Sequence, residues 1–170
     1  MGQIVSREEA LNIRQRLRAE GRSVVLTNGL FDLLHGGHVD YLQRARELGD
    51  VLIVGLNSDD SARRLRGEKR PIVPQKERAC LVAALACVDY VTIFEEDTAE
   101  KLVEILKPDV YVKGGDYTLD EERGAGKALP EAKIVTAYGG EVHILPHLPG
   151  YSTTNIIATI LRRYRESNEL

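Results

Sequence analysis

The hydrophobic pattern changes character several times along the chain, and each change marks an element. Ser6-Arg7-Glu8-Glu9 has the spacing of a capping box and Gly21 supplies a stop, so a first helix is predicted over 7–20. The β-branched run 23–28, ended by Gly29, predicts a strand. After an irregular stretch, 39–48 reads as a helix stopped by Gly49. Val51-Leu52-Ile53-Val54-Gly55-Leu56 is apolar at consecutive rather than alternate positions, the pattern of a parallel strand buried on both faces.

Residues 57–70 are polar and basic, and Pro71-Ile72-Val73-Pro74 leads into a helix over 75–87. A strand at 90–94 precedes Asp97-Thr98-Ala99-Glu100, a second capping-box spacing, which predicts a helix to Lys107 ended by Pro108. A strand at 110–112, a glycine- and charge-containing loop over 114–129, a short helix over 130–138, a strand at 142–145 and a closing helix over 154–165 complete the pattern. Strands alternating with helices predict an α/β domain with a mostly parallel sheet. Such sheets bind ligands at the carboxyl ends of their strands, so chemistry is expected in the loops after 23–28, 51–56, 110–112 and 142–145.

Composition narrows the class. With 170 residues, 43% hydrophobic and 29% charged, one domain is expected: an N-terminal helix within 1–21 and a catalytic core over 22–170. A net charge of −3 lacks the overall basic excess of a non-specific nucleic-acid binder, so no nucleic-acid partner is expected. No apolar run approaches the ~18 residues of a membrane span and the first residues hold no signal-peptide core, so a cytoplasmic protein without a membrane partner is expected. Gly2 and Ser6 fit a myristoylation signal by spacing only, too short a motif to carry weight. Cys80 and Cys87 stand two helical turns apart, roughly 10 Å at the helical rise, which is too far for a disulfide. Two common nucleotide motifs fail. Gly126-Lys127 has Glu121 where a P-loop needs glycine, and Gly124-Ala125-Gly126 lacks the third glycine of a dinucleotide fingerprint.

Candidate chemistry is densest in Asn28-Gly29-Leu30-Phe31-Asp32-Leu33-Leu34-His35-Gly36-Gly37-His38, between the first long strand and its crossover helix. Free N–H groups and the helix dipole favour an anion there, and two imidazoles flanking two glycines add donors while leaving room for a phosphate. A metal pair or two ordinary surface histidines are the other readings of His35 and His38, but no further ligand stands at a useful spacing.

Gly29-x-Phe31-Asp32 followed by the H-x-G-H pattern His35-Gly36-Gly37-His38 resembles the cytidylyltransferase-like nucleotidyltransferases. Gly150-Tyr151-Ser152-Thr153-Thr154 resembles that family's second motif, a hydroxyl-rich turn opening the last helix. Within the family, 65–71, 76–78, 108–117, 138–142 and 152–157 are similar to the heptose 1-phosphate adenylyltransferase branch, over about 23–161. The segment 118–127 departs from that pattern as an insertion. The resemblance implies a Rossmann-like three-layer sandwich, a five-stranded, mostly parallel sheet with helices on both faces. It also implies a homodimer, ATP and a sugar phosphate as substrates, and Mg²⁺ held mainly by phosphates rather than by a protein-only site.

Under that resemblance His35, His38, Arg66, Arg70 and Lys113 are the catalytic candidates. Asn28, Gly29, Leu30, Phe31, Gly37, His38, Arg78, Gly114, Asp116, Ser152, Thr153 and Thr154 are expected at the nucleotide, and Asp32, Asn57 and Lys113 at the second substrate. Alternatives stand beside these. Any one arginine of 63–70 can be a solvated charge, Asp116 a structural turn, Asp32 a loop organiser or a magnesium group, and one of Ser152, Thr153 and Thr154 a plain helix cap. His143 and His147 lack a partner motif and read as structural. Two other functions remain: a cytidylyltransferase acting on glycerol 3-phosphate or a related alcohol phosphate, and a non-catalytic nucleotide-binding module.

Overall fold

The computed structural model describes residues 1–115, 117–118 and 127–165. A two-residue strand, β1 (Gln3–Ile4), precedes α1 (Arg7–Ala19). The first capping box forms as its spacing predicts. The Glu9 N–H donates to Ser6 Oγ at 3.1 Å, and the Ser6 N–H donates to the Glu9 carboxylate at 2.7 Å. There follow β2 (Val24–Gly29), α2 (Gly36–Arg46), β3 (Val51–Asn57), α3 (Asp59–Arg66), α4 (Gln75–Ala83), β4 (Tyr90–Phe94), α5 (Glu100–Leu106) and β5 (Val110–Gly114). β6 (Tyr117–Thr118) and β7 (Lys127–Ala128) pair with each other in a small separate ladder. α6 (Pro130–Ala137), β8 (Glu141–Leu145) and α7 (Thr153–Arg165) complete the described chain.

The main sheet is parallel throughout, in the order β1-β4-β3-β2-β5-β8. Its six strands exceed the expected five by β1, where Gln3 and Ile4 pair with Tyr90 and Val91. Two residues are too few to impose a period on the sequence.

Along the central strands, alternate side chains enter opposite cores. Val24, Leu26, Val51 and Ile53 pack with Ala10 and Leu17 of α1 and with Leu102, Val103 and Leu106 of α5. Val25, Leu52, Val54 and Leu56 pack with Leu42 and Ala45 of α2 and with Ala79 and Val82 of α4. Both faces are covered, which is why β3 carries no polar side chain before Asn57 at its end. The result is a three-layer α/β sandwich.

Three local expectations are corrected. The polar segment 57–70 contains α3, capped by Ser58 Oγ accepting from the Ser61 N–H at 3.2 Å, with Asp59 and Asp60 in its first turn and three arginines in its last. The Asp97–Glu100 box does not form. Ala99 is the cap residue of α5, and its N–H donates to the buried Glu131 carboxylate of α6 at 2.8 Å. α2 begins at Gly36, three residues earlier than its apolar pattern suggests.

The chain crosses from β2 to β3 and β4 on one side, then returns to β5 and β8 on the other. Strand order therefore reverses between β2 and β5, the position where parallel sheets open a crevice at their carboxyl ends.

Candidate active site

The crevice is bridged at its floor. Asn28 ends β2, and its Oδ1 accepts hydrogen bonds from Tyr111 Oη and Lys113 Nζ of β5, both at 2.7 Å. Burial pushes the Lys113 ammonium below its ordinary pKa, and the Glu131 charge opposes that shift. Asn28 and Lys113 thus stand together at the switch point, as two expected site residues.

Beyond β2 the chain turns through Phe31, whose φ of +47° is uncommon for a side-chain-bearing residue. The Phe31 ring folds back over Gly29, where a Cβ would stand 3.0 Å from it. Phe31 is buried and meets the His38 ring edge-on, with centroids 5.3 Å apart. Its side chain thus braces an imidazole of the candidate site.

Three further candidates hold the site from behind. Asp32 is 2% exposed, and its Oδ1 accepts from the Ile72 and Val73 N–H groups at 2.8 and 2.9 Å. Its Oδ2 forms an ion pair with Arg70 Nε at 2.8 Å, although neither atom has a hydrogen-bond partner among the described residues, so Asp32 orders the 70–73 segment. Arg78 is fully buried. Its guanidinium donates to the carbonyls of Leu30, Val73 and Asn57 and to Asp59 Oδ1, tying four segments together. Asn57 is also buried, its Nδ2 donating to Ser61 Oγ at 2.9 Å. Arg78 and Asn57 are therefore positioning residues, and the Leu30 carbonyl is taken by Arg78.

His35 caps α2 and His38 lies in its first turn, which carries no acidic residue. Their rings stack with centroids 3.8 Å apart and planes 18° apart. Burial, then the neighbouring imidazoles, pull the His38 pKa down to about 4, and the same causes lower His35. Neither Nδ1 has a hydrogen-bond partner among the described residues. Both rings are thus biased toward the neutral form, and among the described residues no partner fixes a tautomer through Nδ1.

The two motifs, more than a hundred residues apart in sequence, meet here. A Cβ on Gly37 would lie 2.9 Å from Tyr151 Cβ, and one on Gly36 would lie 3.1 Å from the Tyr151 ring. His35, Tyr151, Ser152, Asn155, Ile156 and Ile160 line a groove of about 320 Å³. Ser152 Oγ accepts from the Asn155 N–H at 3.0 Å, so this hydroxyl caps α7. Thr153 is half-buried and Thr154 exposed in the first turn.

The basic segment also sorts itself. Arg63 pairs with Asp60, Arg64 with Asp97 at 2.7 Å, and Arg70 with Asp32. Arg66, exposed at the end of α3, forms no ion pair among the described residues, and its charge reaches Tyr117. Asp116 lies outside the described residues, as does 119–126 of the insertion.

Sequence reasoning missed His147. It follows β8 and lies against Gly114 and Gly115, where a Cβ on Gly115 would stand 2.5 Å from its Nε2. Its charge depresses both His35 and His38. No short motif surrounds it, so only the pairing of β5 with β8 could reveal it.

No cluster of three acidic, histidine or cysteine groups suited to a metal ion exists among the described residues. Neutral imidazoles, an ammonium, an unpaired guanidinium and hydroxyls at a helix start make a set of donors for anionic oxygens.

Such a fold and site define a nucleotidyltransferase domain, and comparison with known proteins gives it a place. The chain belongs to the cytidylyltransferase-like family, whose model matches residues 26–159. It is 55% identical to the "Bifunctional protein HldE" of Trichlorobacter lovleyi over 96% of this chain and 32% of that one. It is 56% identical to the Geobacter sulfurreducens protein of the same name over 88% of this chain and 29% of that one. The chain thus spans about a third of the length of these relatives. Among solved structures, a lipopolysaccharide core biosynthesis protein from Thermoplasma volcanium superposes with a TM-score of 0.58 at 31% identity, over 75% of this chain and 98% of that one. A pantoate-beta-alanine ligase from Francisella tularensis shares the fold, with a TM-score of 0.61 at 14% identity over 94% of this chain and 77% of that one.

Proposed function

We propose that this domain transfers AMP from ATP to a sugar 1-phosphate, D-glycero-β-D-manno-heptose 1-phosphate, giving an ADP-sugar and pyrophosphate. One observation carries the reading: two stacked imidazoles meet the turn that holds Tyr151 at the start of α2, while Lys113 is held on Asn28 at the sheet's switch point. The sugar is supported by similarity to the HldE proteins over nearly the whole chain.

In the proposed reaction a phosphate oxygen of the sugar phosphate attacks the α-phosphorus in line. The new P–O bond forms as the bond to the bridging oxygen breaks, and pyrophosphate leaves with the electron pair. The attacking oxygen is already ionised, so the protein's task is positioning and charge stabilisation. His38, braced by Phe31, donates to the α-phosphate as charge grows there, while His35, Arg66 and Lys113 hold neighbouring oxygens. The hydroxyls of Thr153 and Thr154 and the start of α7 receive the distal phosphates. Arg70 acts through Asp32 and the 70–73 segment.

Mg²⁺ bound with the nucleotide would neutralise the leaving pyrophosphate. With Asp32 holding the 70–73 segment, the phosphates would supply most of its ligands. Ile160 and Leu161 of α7 are each nearly half exposed, which suits the homodimer implied by the family; a sedimentation mass of one chain would remove that part.

The test is pyrophosphate release from ATP or CTP with heptose 1-phosphate or glycerol 3-phosphate. Release with ATP and the heptose phosphate is expected. Preference for CTP and glycerol 3-phosphate would install the cytidylyl reading, and no release from any pair would leave a binding module. His38→Ala should lower turnover by at least about a hundredfold with the fold intact.

A further inference from the structure

We propose that His147 is a third imidazole of the phosphate site, contacting a phosphate oxygen of the nucleotide or of the sugar phosphate. The inference rests on the nucleotidyltransferase reading and adds a residue from the last strand's exit.

The seating of the ring is the first observation. His147 stands in Pro146-His147-Leu148-Pro149, on the short path from β8 to α7. Its Nε2 occupies the space beside Gly115, where a Cβ would stand only 2.5 Å away, and its Cε1 lies 3.4 Å from the corresponding point on Gly114. Gly115 has a φ of +108°, and its N–H is bonded to the Leu145 carbonyl at 3.0 Å. The two glycines after β5, expected to let backbone approach a nucleotide, thus admit an imidazole instead. A larger residue at Gly115 would expel it.

The second observation is the company the ring keeps. His147 stands at the carboxyl end of β5, against the glycines that follow Lys113, on the same short segment whose Tyr151 packs on Gly36 and Gly37 between His35 and His38. It forms no ion pair with a carboxylate among the described residues, whereas His143, within β8 itself, sits 3.0 Å from Glu141. Asp32, the acidic residue of the loop after β2, is bound to Arg70 and two backbone N–H groups. Three imidazoles at the strand exits, none ion-paired with a nearby acid among the described residues, repel one another once protonated, and an anion is the partner that removes the repulsion.

The geometry favours a phosphate over a metal ion. The three rings do not meet the requirement of a metal cluster. A phosphate group is larger than a cation and directs its oxygens several ways, so donors arriving from the exits of β2, β5 and β8 can share it. Exposure of His147 leaves its ring accessible.

The experiment measures binding of Mg-ATP and of heptose 1-phosphate separately by calorimetry, for the full chain and for His147→Ala, His147→Phe and His147→Gln. The phenylalanine keeps the ring against Gly115 without an N–H donor, and glutamine restores a donor without the ring. We expect alanine and phenylalanine to weaken one of the two ligands by about tenfold or more, with partial recovery in glutamine, at unchanged melting temperature. Weakening confined to ATP places His147 on the nucleotide; weakening confined to the sugar phosphate places it on the second substrate. Unchanged affinity for both ligands in the alanine variant, or full rescue by phenylalanine, overturns the inference alone. A wild-type protein that binds neither ligand overturns both it and the nucleotidyltransferase mechanism.

Discussion

The imidazoles of His35 and His38 lie face to face, 3.8 Å between centroids, so a proton on one opposes a proton on the other. His38, braced from below by Phe31, is held down to about 4, against an ordinary histidine value near 6.5. The unfolded chain therefore binds the extra proton first as the pH falls. Stability from this pair is fully present above pH 6.5 and is lost as the pH drops toward 4. Melting temperature measured between pH 7.5 and 4.5 should fall, and His38→Gln should make that fall shallower. An identical slope in the variant would contradict the assignment.

Anion binding reverses the same linkage. A polyphosphate beside the rings raises their pKa values, so the complex takes up protons and nucleotide affinity rises as the pH falls from about 7 to 6. Calorimetry in two buffers of different ionisation enthalpy should report net proton uptake per nucleotide bound. Zero uptake would separate the histidines from the phosphates.

Arg78 is the residue whose loss should harm folding most. It is fully buried and donates to three carbonyls and one carboxylate from separate segments. Its removal strands those acceptors and unpairs Asp59, a change that costs about 3–5 kcal/mol for buried charge networks. Arg78→Ala should show this in chemical denaturation. Arg78→Met, similar in length but without the donors, should recover little of it.

Charge pairing separates the arginines of α3. Arg66→Ala should raise KM for a phosphate substrate by about fivefold or more, as loss of a charge-assisted contact does. Arg63→Ala, whose side chain already pairs with Asp60, should stay within about twofold, since exposed pairs contribute little. Steady-state kinetics of the two variants side by side decides it, and equal effects would refute the sorting.

Gly37→Ala probes the junction of the two motifs. The new Cβ would stand 2.9 Å from Tyr151 Cβ, so the last helix must shift away from α2. Turnover should fall more than tenfold while the denaturation midpoint changes little, because α7 contains no buried residue. Unchanged turnover would show that contact between the motifs is not required.

Much of this was legible in the chain itself. Consecutive apolar residues in β3, the Ser6 capping box and the glycine stops dictate the α/β alternation, because local sterics and two-sided burial act within a few residues. Motif spacing likewise marked His35, His38 and Ser152, and put Asn28 and Lys113 at strand ends. What the sequence could not decide is which charges are consumed inside the protein. Arg78, Asp32 and Asn57 carry the right chemistry for a substrate and are buried instead, Arg78 and Asp32 on partners from segments tens of residues away and Asn57 on Ser61 of the helix that the polar segment conceals. Arg66 was separated from Arg63 and Arg64 only by ion pairs that α3 creates. His147 joined the other imidazoles only because β8 pairs with β5 and glycine leaves room for the ring. Local periodicity determines elements and the ends at which ligands gather, whereas the parallel sheet's register alone decides which distant polar groups meet one another and which are left for a substrate.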